Sequence, residues 1–336
     1  MTLSDVARVV GVSAITVSRA LRVPGRVSPE LRNRILETVE QMGYVPDLAA
    51  RALASRDSGV IGLIMPTLTH VPLLDIMTGI EDRLCGSGFG IQYANTRFDQ
   101  ATMEQKVRML LAQRPSGLIF VGVAPAGETL ARLRHAPCPI VQISDVSSER
   151  AGSVIGIDTE LASRMATRHM LDKGYRRIAL VDGRPRGGSL LRREGYENAM
   201  RDAGVYDPAW EIFDDAPSSV GLGSRFLRRI LDTIPDADGA FCHNDDLALG
   251  ILFECQRLGI RVPQDFGICG FNDLDYAALA QPSLTTVRVP RYDLGEQAAD
   301  MMIRVIRGTA SRDEVVDIGF TLFERQSTQR DRPAGT

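Results

Sequence analysis

The sequence predicts a small all-α unit at the amino terminus followed by a larger α/β domain with parallel sheets. Two changes of pattern and one count lead there. Over the first 45 residues the apolar positions recur with helical spacing. From Val60 onward, short apolar runs alternate with amphipathic stretches, the βαβ rhythm of parallel-sheet domains. About ten such units follow, too many for one tidy sheet, so the α/β part divides into two lobes. A length of 336 residues agrees, since it fits roughly two or three domains.

The helical unit has well-marked ends. Thr2 stands at an N-cap with Asp5 three residues on, a capping-box arrangement, and Leu3, Val6, Ala7 and Val10 form one stripe. Gly11 stops this helix, and Ser13 caps a second that turns Val17, Ala20 and Leu21 inward. Ser28-Pro29-Glu30 opens a third, with Leu31, Ile35, Val39 and Met42 as its stripe and Gly43 as its stop. Three helices this short bury little core and are marginal without a partner. Pro46 then breaks the chain. The Ala-rich stretch from Asp47 to Ser55 spans too few turns to be a stable helix in water, so it is expected to fold on contact with a partner.

In the α/β part, the expected strands are Val60–Ile64, Ile91–Ala94, Leu118–Val121, Ile140–Ile143, Ile178–Val181, Ala240–Cys242 and Gly267–Cys269. Ile76, Ile80 and Leu84 form one helical stripe, and Met165, His169 and Met170 another. The polar end from Gln326 to Thr336 is expected to fray.

Composition excludes several classes. The net charge is −3 and the pI about 5.9, so any nucleic-acid contact must be local rather than a coat. Hydrophobic residues at 44% and charged residues at 24% suit a globular protein with a real core. Cys85, Cys138, Cys242, Cys255 and Cys269 form no Cys-x-x-Cys pair and have no His at metal spacing. They read as buried thiols in a reducing cytoplasm, and no metal is expected. The start Met1-Thr2-Leu3-Ser4-Asp5 lacks the basic and apolar regions of an export signal. No apolar run nears the roughly 20 residues of a membrane span, so no membrane partner is expected. Dinucleotide, phosphate-loop and nucleophile-elbow motifs are missing, and His70, His135, His169 and His243 are far apart in sequence. No cofactor, catalytic residue or enzymatic activity is expected.

The sharpest motif runs from Leu3 to Arg19. Two short helices meet at a tight turn, Gly11-Val12, and the second begins with small, polar and exposed residues. A helix whose amino end enters a major groove needs that form. Ala14 and Ile15 would meet base edges, where apolar groups read thymine methyls. Thr16, Ser18 and Arg19 carry donors suited to phosphate and guanine. By the residues alone, a plain helical hairpin with a capped second helix fits the same pattern.

The whole chain resembles the lac repressor family of bacterial regulators, the LacI/GalR type. Thr2-Leu3, Asp5-Val6-Ala7, Gly11-Val12-Ser13 and Thr16-Val17-Ser18-Arg19 match its helix-turn-helix pattern. Met42-Gly43-Tyr44-Val45-Pro46 and then Ala49, Ala50, Arg51, Leu53 and Ala54 match the rest of the headpiece and the hinge helix. Gly117-Leu118-Ile119, Arg192-Arg193-Glu194-Gly195-Tyr196, Asn244 through Gly250, Pro282 through Val287 and Phe323 through Thr328 fall in family order. Phe241 through Asp246 and Phe253 through Gly259 resemble the gluconate-utilisation repressor branch in particular.

The resemblance implies two Rossmann-like lobes of periplasmic-binding-protein type, closing on an effector. It implies a DNA-binding headpiece at 1–46, a hinge helix or linker at 47–58, and an effector-binding and dimerisation domain at 59–336 with crossovers near 158–160, 288–290 and 318–320. The DNA-contacting set is then Thr2, Ser13, Ala14, Ile15, Thr16, Ser18 and Arg19, with Ala50, Arg51 and Leu53 from the hinge, Leu53 acting as a minor-groove wedge. Effector contacts fall to Thr69, His70, Pro72, Arg192, Asn244 and Asn272, with Asp245 supporting the cleft floor. For Arg192 a surface salt bridge is the plainer alternative, and for Asn244 a helix cap, a role compatible with binding. The chain departs from the common pattern: Asn272 stands where many relatives have Asp, Val289 where Gln is frequent, and Pro72 and Leu73 where aromatics are. Together with Arg184, Arg186 and Arg192, this favours an anionic effector, a sugar acid such as gluconate, over a neutral sugar. The expected partners are a near-palindromic operator and a second copy of the chain. No leucine-heptad tail is present, so a dimer is expected rather than a tetramer.

Overall fold

The structure, a computed structural model, describes residues 2–22, 24–45, 58–67, 71–122, 124–183 and 188–330. The chain divides into two compact units, 1–59 and 60–336. The linker expected at 47–58 lies outside the described residues except for Ser58.

Three helices make the first unit: α1 (Leu3–Val10), α2 (Ala14–Arg22) and α3 (Pro29–Gln41). The capping box of α1 is complete: Asp5 N donates to Thr2 Oγ1 at 3.3 Å and Thr2 N to Asp5 Oδ2 at 2.9 Å. Those bonds, first the one from the Thr2 backbone, hold the Asp5 carboxyl below its ordinary range. Gly11, at φ 78°, takes the left-handed conformation that turns the chain into α2. Ser13 Oγ accepts from Thr16 N at 3.2 Å, and Ser28 Oγ from Leu31 N at 3.3 Å. Val6, Ala7, Val10, Val17, Ala20, Ile35 and Tyr44 close a small core. A single 3₁₀ turn, Pro24–Arg26, precedes α3.

The second unit has two lobes. The chain first builds β1 (Val60–Met65), α4 (Val71–Leu84), β2 (Gly90–Asn95), α5 (Gln100–Ala112), β3 (Gly117–Val121), α6 (Gly127–Arg134), β4 (Ile140–Ile143) and β5 (Ser153–Gly156). It passes to the second lobe for α7 (Thr159–Asp172), β6 (Ile178–Gly183), α8 (Gly188–Asp202), β7 (Glu211–Asp214), α9 (Val220–Thr233), β8 (Gly239–Cys242), α10 (Asp245–Leu258), β9 (Gly267–Asn272), α11 (Asp275–Leu279) and β10 (Thr285–Arg288). It returns to the first lobe for α12 (Arg291–Ile306) and β11 (Val315–Asp317), then ends in the second with β12 (Thr321–Phe323).

The sheet orders are β11-β5-β4-β3-β1-β2 and β12-β10-β9-β8-β6-β7. Every pairing is parallel except that of β10 with β12. Helices cover the sheets, so the central strands are buried throughout, which is why they read as unbroken apolar runs. All seven strands expected from the sequence are present. β5, β7, β10, β11 and β12 are not among those seven: each is only three or four residues long, and β7, β11 and β12 are sheet edges.

Two expectations are corrected. Met165 does not face the core but is 46% exposed; Ala162, Ala166 and Met170 carry the buried stripe of α7. Small residues are needed there because α8 packs very close: a Cβ on Gly195 would lie 2.3 Å from Glu160 O. The second correction concerns the end of the chain. Gln326–Thr328 is a 3₁₀ turn with Ser327 and Thr328 fully buried. Ser327 Oγ donates to Ile268 O at 2.6 Å and accepts from Thr285 N at 2.8 Å, so buried hydrogen bonds pin a segment whose polarity suggested fraying.

Among the described residues no helix is long and apolar enough to cross a membrane. The five cysteines are free thiols; four are buried as expected, but Cys85, just past the end of α4, is exposed, against the expectation of a buried thiol.

Candidate functional site

Parallel α/β sheets bind ligands beyond the carboxyl ends of their strands, where loops and helix amino termini converge. Here those ends lie together in the two lobes. Asp145, just past β4, accepts from Thr159 N at 2.7 Å, at the start of α7 in the other lobe. Burial works against its charge, but that bond and those from Ser147 outweigh it and hold its carboxyl below the ordinary range. Arg291, in the first turn of α12, pairs with Asp75 on α4 at 2.7 Å and donates Nη1 to the carbonyl of Asn272 at the end of β9. Asn272 and Asp273 both have positive φ, 107° and 52°, a strained pair that needs such support. Arg325 Nη2 bonds Asp273 Oδ1 at 2.7 Å as well.

Arg192 lies on the first turns of α8, above the ends of β6 and β9. Its guanidinium carbon is 4.1 Å from the centroid of the Phe271 ring, a cation–π contact that fixes its plane. Its Nη1 donates to His243, 2.7 Å from Nε2. Its Nε is buried and has no hydrogen-bond partner among the described residues. Burial lowers the guanidinium to about 10, against Asp182 and Asp245, which raise it. The surface ion pair considered for Arg192 is made by its neighbour: Arg193 Nη2 bonds Glu211 Oε2 at 2.7 Å.

Asp182 closes β6. Its Oδ1 is buried without a hydrogen bond among the described residues, and the nearest ionisable partner is His243 Nδ1 at 3.5 Å. Burial pushes this carboxyl up to about 6, opposed by Ser189 and Arg192. Asn244 caps α10, its Oδ1 accepting from Leu247 N at 3.1 Å. Asp245 is part of the floor: it accepts from Thr286 Oγ1 at 2.6 Å and Leu274 N at 2.8 Å, and burial pushes it up to about 7. The arrangement joins a forked cation with open valence, a carboxylate with a free oxygen and an imidazole between them. It can bind a polar, anionic small molecule. No group of three or more metal-binding side chains occurs among the described residues.

Of the expected effector residues, the structure brings Arg192, Asn244 and Asn272 to the second-lobe side of this cleft. Pro72 is buried in the first turn of α4 beside the core residue Leu73. Thr69 and His70, like Arg184 and Arg186, lie outside the described residues. Sequence reasoning missed Asp182, Phe271 and Arg291, and noted His243 only as one of four histidines far apart in sequence. A carboxylate ending the apolar run Ile178–Val181 was the available signal for Asp182. A cavity of about 730 Å³ lies elsewhere, between α7, α8 and β12; its acids Asp172, Asp202 and Glu324 are all paired with its cations.

On the headpiece, Ser13, Ile15 and Arg19 are exposed, with Ile15 and Arg19 four residues apart on one face of α2 and Ile15 64% exposed. Thr16 and Ser18 are half-buried, and Ala14 packs partly against the headpiece core rather than standing free. Thr2 is exposed at its cap. Ala50, Arg51 and Leu53 lie outside the described residues.

Comparison with known proteins agrees with both units. Residues 2–47 match the model of bacterial regulatory proteins of the lacI family, and residues 167–328 match a periplasmic binding protein-like domain. The HTH-type transcriptional regulator GntR of Pseudomonas aeruginosa is 36% identical over 97% of this chain and 95% of its own length. The HTH-type transcriptional regulator IdnR of Escherichia coli is 31% identical over 96% of this chain and 97% of its own. The crystal structure of the transcription regulator GntR from Chromobacterium violaceum superposes with a TM-score of 0.75 at 36% identity, over 80% of this chain and 99% of that one. The chain belongs to the lacI family of bacterial regulatory proteins, and it is a DNA-binding, ligand-responsive transcriptional regulator rather than an enzyme.

Proposed function

We propose that the protein is a cytoplasmic repressor of a sugar-acid utilisation operon, bound as a homodimer to a near-palindromic operator, with a small sugar acid such as gluconate as effector. One observation carries the effector reading. Among the described residues, the guanidinium of Arg192 is fixed over Phe271, its only hydrogen bonds are to an imidazole, and its Nε is unpartnered. A buried, oriented, forked cation without a carboxylate is complementary to one. The resemblance of Phe241–Gly259 to the gluconate-utilisation branch points the same way, and the similarity to the regulators named GntR and IdnR spans nearly the whole chain.

On the DNA side, Ser13, Ile15, Thr16, Ser18 and Arg19 are the proposed major-groove set. Thr2 faces phosphate, and Ala14 supports the helix. Ala50, Arg51 and Leu53 are proposed to enter the minor groove. One recognition helix per chain gives too little specific affinity, so two half-sites are required.

A thermal-shift panel tests the effector class. Ligand at about 100 times its dissociation constant adds about 2.7 kcal/mol, enough to move the melting temperature visibly. Gluconate should shift the wild type, and Arg192→Ala should abolish the shift. A shift with neutral sugars or purines and none with sugar acids overturns the reading.

A further inference from the structure

We infer that Asp182 and His243 form, with Arg192, a reader for a 2-hydroxycarboxylate head group. Arg192 takes the carboxylate, Asp182 accepts a hydrogen bond from the adjacent hydroxyl, and His243 positions Arg192. This rests on the sugar-acid reading above and narrows it to acids whose hydroxyl neighbours the carboxylate.

The first argument is valence. Asp182 and Arg192 carry opposite charges in the same pocket, yet no hydrogen bond or ion pair closes between them among the described residues: Arg192 Nη1 goes to His243, and Asp182 Oδ1 is left without one. An arginine beside an acid whose only task is neutralisation would bond it directly. Instead each keeps an open edge, Nε on one and Oδ1 on the other. Buried polar atoms with no partner are uncommon, and a ligand that satisfies both removes two penalties together.

The second argument is the imidazole between them. Arg192 Nη1 lies 2.7 Å from His243 Nε2 and 3.2 Å from Nδ1, and an arginine N–H only donates, so the imidazole is the acceptor of this contact. Nδ1 of the same ring is 3.5 Å from Asp182 Oδ1. His243 thus lies within reach of both charges. A carboxylate on Arg192 with a hydroxyl on the next carbon offers an acceptor to the one group and a donor to the other. A hydroxyl-free acid leaves Asp182 unsatisfied, and a polyol without the carboxylate leaves Arg192 so. Asp245, on the cleft floor, is occupied by Thr286 and Leu274 and does not compete.

Titration calorimetry of the full chain with gluconate and 2-deoxygluconate tests this. The wild type should bind gluconate roughly 10- to 100-fold more tightly, the loss expected when a charged hydrogen bond goes unmade. Asp182→Ala should bring the ratio close to one, while His243→Ala should weaken both ligands and leave the ratio unchanged. Asp182→Leu, nearer in volume, serves the same comparison if the alanine variant does not fold, with operator binding as the folding check. Equal wild-type affinities, or a ratio that survives loss of the Asp182 carboxylate, overturn the inference while the sugar-acid reading stands. If the wild type binds no sugar acid at all, both fall.

Discussion

Asp182 and Asp245 show at single residues what the cleft does to charge. Burial raises their carboxyls to about 6 and about 7, from an ordinary value of 3.8. The folded state therefore keeps protons that the unfolded chain would release, so their contribution to stability is present below about pH 4 and is lost as pH climbs toward 6 and 7. We expect Asp245→Asn to flatten the fall of the melting temperature between pH 4 and 7, by the equivalent of a few kcal/mol. Wild-type and variant melting curves that stay parallel over that window would mean that Asp245 does not titrate there. On the headpiece, Arg19 presents an exposed guanidinium on the face shared with Ile15. Arg19→Ala should weaken operator binding by about 1–3 kcal/mol. Footprints of equal strength for variant and wild type would remove Arg19 from the DNA interface.

At the level of elements, helix pairs in the second unit pack backbone to backbone rather than through large side chains. On α7 and α8, Gly195 faces Glu160 O and Arg164 N, where a Cβ would sit at 2.3 and 2.8 Å. That contact holds the amino half of α8, and with it Arg192, against the lobe. Gly195→Ala should force the helices apart and lower stability by about 1–3 kcal/mol. Chemical unfolding with an unchanged midpoint would show that the pair has slack. The periodicity of α7 misleads for the same reason. Its inward positions are Ala162, Ser163, Ala166 and Thr167, small enough for close approach, while the bulkier Met165 lies outside. Large apolar residues mark a helix face well only where the neighbour leaves room for them.

In the whole molecule, the second lobe leaves apolar surface on one side. Phe253 on α10 is 46% exposed and Leu279 on α11 is 83% exposed. Gln256 Nε2 donates to Gln281 O at 2.6 Å, which ties the two segments into one face. Family members act as dimers, and a self-complementary apolar patch suits a two-fold contact. Leu279→Asp should shift the protein toward monomer in light scattering at micromolar concentration and weaken operator binding, since one half-site alone gives little affinity. A variant that keeps the wild-type mass would place the interface elsewhere.

The sequence by itself determined the class and the family. Helix caps, the Gly11 turn and strand-length apolar runs are local signals, written in residues next to one another, and they placed the headpiece helices and seven of the strands. Arg192, Asn244 and Asp245 were legible only because their motifs resemble a family. The rest needed the tertiary structure. Asp182 and His243, 61 positions apart, meet because β6 and β8 are neighbours in one sheet. Arg291 reaches Asn272 because the chain returns to the first lobe beside the end of β9. The buried end at Ser327 and Thr328 reads as a polar tail until its hydrogen bonds to Thr285 and Ile268 are seen. Periodicity reports which residues seek burial; it does not report which distant group will satisfy a buried charge or hydroxyl, and in this cleft that pairing sets what can bind.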